Sequence, residues 1–250
     1  MATISTRKQQ DSDLSELKRM LLRLGKMSDN AVSSAVWALE KSDVETALLV
    51  IDGDDVLDEL ANRIDASCMS FAARYQPLGE DLRTITSIMH MAINLERIGD
   101  YGVNIAKAVL DLEGKALIKP LIDIPRMAGV LSEMLDKILS IFDVGNVEGT
   151  SAVFAMDQQI DALEKQVMRE LITLVMERVD RLEQAFLLIN VARTLERAGD
   201  HVTNITERVV YMYTGKTVKA SDYKPPREPF GVRRGKEKGR EPERDRGENL

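Results

Sequence analysis

The chain has 250 residues, 44% of them hydrophobic and only 4% aromatic. That is enough for one large domain or two small ones, rich in the unbranched side chains that lose little rotamer freedom in a helix. The formal net charge is −7, unevenly spread: Lys216 to Leu250 carry eleven basic and seven acidic residues, while the rest holds 23 basic and 34 acidic. An acidic body argues against nucleic acid as the main partner, since phosphate neutralisation needs clustered cations. Cys68 is the sole cysteine, so an intramolecular disulfide and a thiolate zinc site are both excluded. The N-terminus has no apolar signal-peptide core, and no apolar run reaches the ~20 residues that span a bilayer. A cytoplasmic protein with no membrane insertion is expected.

Apolar periodicity predicts a first helix from about Asp13 to Lys41 with Ser12 as N-cap. Ser42-Asp43-Val44-Glu45 has capping-box spacing and should start a second helix running to about Tyr75, with Gly53 a weak point. Gln76-Pro77-Leu78-Gly79 breaks it, and a third helix follows from about Glu80 to Leu112. Residues 113–125 read as a link, after which helices are expected near 126–144, 150–178 and 182–213. The tail, assigned to residues 217–250, is Pro, Gly and charge, a composition expected to be disordered.

The second half repeats the first. LERIGDYGVNI at 95–105 returns as LERAGDHVTNI at 195–205, and the pattern Asp-x-x-apolar-Asp-x-Leu occurs at 54–60 and again at 157–163. Duplication of a three-helix unit accounts for both. The expected fold is all-α: two tandem three-helix bundles of six long antiparallel helices, with repeats at 1–116 and 117–216.

Each unit carries acidic pairs. Glu96 and Asp100 lie about 40° apart on a helix, as do Glu196 and Asp200, with Leu95, Ile98, Gly102 and Ile105 on the opposite side. The carboxylates are therefore expected on an outward-facing or groove-edge strip. Like charges at this spacing repel, and Asp54/Asp58 or Asp157/Asp161 brought alongside would add to the repulsion. Hard cations resolve it. One metal site per half is thus one reading; a solvated acidic face, or a metal-free scaffold that docks a basic partner, is the other. Gly99 and Gly199 fit a tight helix crossing, or room for a bound group. His201 is expected at the surface. Glu-x-x-His pairs of the ferritin-like di-iron type are absent, because positions 87 and 198 are Ser and Ala. No nucleophile–base pair, phosphate loop or dinucleotide fingerprint appears, so no enzyme activity is expected, although a metal-dependent hydrolase remains an alternative.

Taken together, the two Leu-Glu-Arg-x-Gly-Asp motifs, the Asn-Ile that follows each, and the turn and helix start at 76–83 resemble the PhoU family, as does the Thr-Gly-Lys ending at 216. The resemblance covers about residues 13–216. It implies tandem three-helix bundles bearing multinuclear iron or zinc-type clusters (Mg or Mn being possible) on Asp54, Asp58, Glu96 and Asp100, then Asp157, Asp161, Glu196 and Asp200. It also implies a homodimeric negative regulator that couples a phosphate ABC transporter, through its ATPase subunit, to a sensor histidine kinase. Where family members often have Glu in both halves, this chain has Glu207 in the second and Lys107 in the first. The second half is therefore expected to be the better site.

Overall fold

A computed structural model describes residues 2–112 and 114–223, with side chains from residue 7 onward. Seven α-helices, with 3-10 turns at Val179–Arg181 and Ala220–Asp222, hold most of the described residues: α1 Ala2–Lys41, α2 Val44–Asp52, α3 Asp54–Tyr75, α4 Glu80–Asp111, α5 Asp123–Val144, α6 Thr150–Glu177 and α7 Leu182–Thr214. The first unit is built from α1, the broken pair α2/α3, and α4; the second from α5, α6 and α7. The units meet through α1 against α5 and α4 against α7, so one apolar core runs through both. The all-helical, duplicated plan read from the periodicity holds.

Four local expectations need correction. Helix α1 starts at Ala2, and Ser12 lies inside it rather than capping it. The extra turns have little apolar period but gain partners, since Arg7 pairs with Asp11 and with Asp81 of α4, both at 3.1 Å. The second helix is capped by Asp43, which accepts from the Thr46 amide at 3.2 Å, while Ser42 takes a positive φ of 54°. Gly53 does more than weaken that helix: it ends α2 and starts α3, placing Asp54 and Asp55 in the first turn of a new helix. Carboxylates are favoured there by the helix dipole. The tail from 217 is not structureless throughout, because Ala220–Asp222 form a 3-10 turn; residues 224–250 lie outside the described residues.

The glycine of the repeated phrase and its neighbour set the helix spacing. A Cβ on Gly102 would lie 2.7 Å from the backbone carbonyl carbon of Ala31 and 2.9 Å from the Val32 nitrogen, so α4 and α1 touch backbone to backbone. Ser28 on α1 locks this crossing by donating to the Leu95 carbonyl at 2.7 Å.

Where α4 meets α7, the seam between repeats carries a polar cluster. His201 Nδ1 lies 2.8 Å from Asn94 Oδ1, and Tyr101 Oη lies 3.3 Å from His201 Nε2. Donation from Nδ1 to the Asn94 carbonyl leaves Nε2 to accept from Tyr101, a neutral imidazole. His201 is thus half-buried between the repeats rather than at the surface. Burial holds its pKa below the ordinary value, assisted by Arg97 and opposed by Asp200.

Gly102→Ala is expected to destabilise, because overpacking against backbone costs about 1–3 kcal/mol. Gly129→Ala, whose Cβ meets nothing within 4 Å, should gain up to about 1 kcal/mol from helix propensity alone. Thermal midpoints of the two variants check the contrast. For His201, the depressed folded pKa means its contribution is complete above the unfolded value and is lost as pH falls through it. The fall in midpoint between pH 7 and pH 5 should therefore be smaller in His201→Gln.

Candidate metal centre

Two antiparallel helix pairs build the candidate sites: α3 with α4 in the first repeat, and α6 with α7 in the second. The strips are framed alike. Burial class agrees position by position from 88 to 106 against 188 to 206, with Glu96, Asp100, Glu196 and Asp200 all half-buried. These four sit at groove edges, as the helical wheel requires.

In the first repeat the carboxylates converge. Asp54 and Asp58, one turn apart on α3, face Asp100 of α4, and one oxygen from each lies within 4.8 Å of the other two. Asp54 Oδ1 and Asp58 Oδ1 are cut off from solvent, and no donor of the protein reaches either. Beside them is a cavity of about 330 Å³ walled by Met27, Leu49, Val50, Leu57 and Val103. Burial pushes the Asp54 carboxyl above its ordinary pKa, the charges of Asp58 and Asp100 push it further, and Lys107 pulls it back. Glu96 is raised by burial and then by Asp100, against the pull of Arg97. Arg97 binds Asp100 at 2.8 Å and stands 3.7 Å from Glu96. Cations of the protein thus flank the group without reaching its buried oxygens.

The second repeat is arranged differently. Asp157 is only 1% exposed, deeper than the groove-edge strip of Glu196 and Asp200. A Cβ on Gly199 would lie 3.0 Å from Asp157 Oδ1, so this glycine makes room for a carboxylate, whereas a Cβ on Gly99 would collide with Leu57 at 2.5 Å. Glu196 is pushed up by burial, then by Asp200, Asp161, Glu164 and Asp157. Glu164 was not singled out from the sequence, though its place seven residues after Asp157 puts it on the same face. Glu207 is drawn off the strip, accepting from the Ala220 amide at 2.7 Å. Among the described residues, a group of three ligand atoms within 4.8 Å forms in the first repeat alone. The carboxylate geometry therefore favours the first repeat, despite Lys107.

The donor set is oxygen only. Cys68 is buried, with its thiol pushed up to about 12 by its apolar surroundings, and His201 is engaged at the seam. Three carboxylates with two undonated oxygens suit hard cations such as Mg, Mn, Ca or oxidised iron better than zinc, which favours nitrogen and sulfur.

The comparisons with known proteins agree with the doubled architecture. The PhoU domain model matches residues 21–109 and again 124–209. A phosphate-specific transport system accessory protein PhoU homolog of Clostridium acetobutylicum is 34% identical over 218 residues, covering 87% of this chain and 100% of that protein. PhoU homolog 2 of Thermotoga maritima is 34% identical over 204 residues, covering 82% and 87%. The crystal structure of PhoU from Pseudomonas aeruginosa superposes with a TM-score of 0.79 at 31% identity, covering 82% of this chain and 99% of that one. The phosphate transport system regulatory protein PhoU from Streptococcus pneumoniae gives 0.78 at 31%, covering 84% and 99%. With both halves matched, this chain belongs to the PhoU family.

Proposed function

We propose that this protein is a non-catalytic accessory regulator of phosphate uptake that holds cations on its acidic grooves. In this reading it represses phosphate-starvation genes by coupling a phosphate ABC transporter, through its ATPase subunit, to a sensor histidine kinase. It works as a homodimer in the cytoplasm, with units at 1–116 and 117–216. Family membership and the names of its relatives support the transport role. No helix among the described residues is long and apolar enough to cross a membrane, consistent with a protein that acts beside a transporter.

The observation that carries the cation reading is the convergence of Asp54, Asp58 and Asp100 with two buried, undonated oxygens. Three like charges near an apolar wall are costly, and a divalent ion offsets the repulsion while satisfying those oxygens. Asp54, Asp58 and Asp100 would hold the ion, with Glu96 at the edge of the set. Asp157, Asp161, Glu196, Asp200 and Glu164 form the corresponding acidic groove in the second repeat. A bound ion would neutralise the groove and hold α3 against α4. A metal-free docking surface for a basic protein is the second reading, favoured by the way a guanidinium, Arg97, already satisfies Asp100.

Protein purified without chelator or affinity tag should carry metal by elemental analysis. Mn2+ added to stripped protein at about a hundredfold over its Kd should stabilise by about 2.7 kcal/mol, or roughly 5–10 °C in thermal midpoint. Asp58→Asn should lose that rise while being slightly more stable than wild type without metal, since one repulsion is gone. An untagged protein free of metal with a midpoint indifferent to Mn2+ would retire the cation reading and leave the docking surface. In cells, deleting the gene should derepress alkaline phosphatase in phosphate-rich medium. Unchanged phosphatase expression would count against the regulatory assignment.

A further inference from the structure

We propose that Lys219–Tyr223 form a strap that closes one end of the second repeat's acidic groove, so that the two repeats present unequal acidic surfaces. The strap touches both walls of that groove. On the α7 side, the Ala220 amide donates to Glu207 Oε1 at 2.7 Å. On the α6 side, the Tyr223 ring stacks on Phe154, with centroids 4.6 Å apart and planes 13° apart, and Gln158 Nε2 donates to the Tyr223 carbonyl at 3.0 Å. Its turn is closed internally, the Lys219 amide donating to Asp222 Oδ2 at 3.2 Å. Gln158 is the immediate neighbour of Asp157, and Phe154 precedes Asp157 by less than one helical turn. The strap therefore crosses from α7 to α6 beside the deepest carboxylate of the groove.

Burial agrees with this placement. Phe154 is fully buried yet does not belong to the core shared by the two repeats, and Tyr223 lies over it. Asp157 is 1% exposed, whereas Asp54, its counterpart in the first repeat, is half-buried. The anchors exist in one repeat only. Lys107 stands where Glu207 stands and cannot accept from an amide; Ile51 stands where Phe154 stands, on α2, beyond the break at Gly53.

Two hydrogen bonds, one stack and a short turn hold the strap, and contacts so few open locally without unfolding the bundle. Opening would expose Asp157 to whatever cation or basic side chain the groove takes. Closed, the strap leaves the first repeat as the open acidic surface. This holds whether or not either groove binds metal.

The test labels carboxylates on the full-length, metal-free protein with a water-soluble carbodiimide and glycine ethyl ester, and follows each site by peptide mass spectrometry. Asp157 should label slowly in the wild type. The double variant Glu207→Ala/Tyr223→Ala should raise its rate at least about threefold, as expected for loss of a local closing equilibrium, with Asp54 and Asp58 unchanged. A chain ending at Lys216 should match the double variant. An unchanged rate at Asp157 overturns the proposal. So does an equal rise in both repeats, which would make the segment a general packing element rather than a cover. Since no metal is present, failure of the cation reading leaves this result intact.

Discussion

The backbone contact between α4 and α1 at Gly102 is the constraint from which the rest of the first repeat follows. Two helices can approach this closely only where no Cβ intervenes, and at Gly102 the neighbouring atoms are main-chain atoms that cannot swing aside. Gly99, one turn earlier, lets Leu57 of α3 close in from the other side. With α4 pinned between α1 and α3, the strip carrying Glu96 and Asp100 has one available orientation. It faces the carboxylates at the start of α3.

Those carboxylates are placed at a cost. Asp54 and Glu96 are both pushed up by burial before any neighbouring charge is considered, and the neighbouring charges make it worse. A chain selected for stability alone would replace one of these acids with a neutral side chain. Their recurrence at matched positions of the two repeats, on rigid helices rather than loops, gives a preorganised set of oxygen donors whose repulsion a cation would relieve. The break at Gly53 contributes, because it turns the middle of a long helix into an N-terminus whose dipole tolerates Asp54.

The second repeat shows how the same phrase diverges once its surroundings change. Helix α6 is continuous where the first repeat breaks, so Asp157 sits in a helix interior and turns in toward Gly199. Glu207, one more acid on the strip by sequence, is taken up by a backbone amide of the C-terminal segment. Two copies of one motif thus give one converged group of carboxylates and one groove with a more deeply set aspartate, Asp157.

Periodicity and repetition in the sequence determined the all-helical class, the duplication and the register of the acidic strips, because a 3.6-residue period assigns each side chain a face before any partner is known. The same reasoning placed Glu96, Asp100, Glu196 and Asp200 on groove edges. Distance was beyond it. Whether Asp54 and Asp58 meet Asp100, whether Asp157 is buried, and whether Glu207 stays on the strip depend on helix crossings and on an amide 13 residues further along the chain. The N-terminal turns of α1 and the 3-10 turn at Ala220–Asp222 carry no periodic signal for a related reason. Their composition is polar, and they are ordered by partners supplied elsewhere in the fold, Asp81 for the one and Glu207 with Phe154 for the other. The sequence determined which residues share a face. Only the tertiary structure decided which faces meet, because that is set by the few places where two backbones can touch.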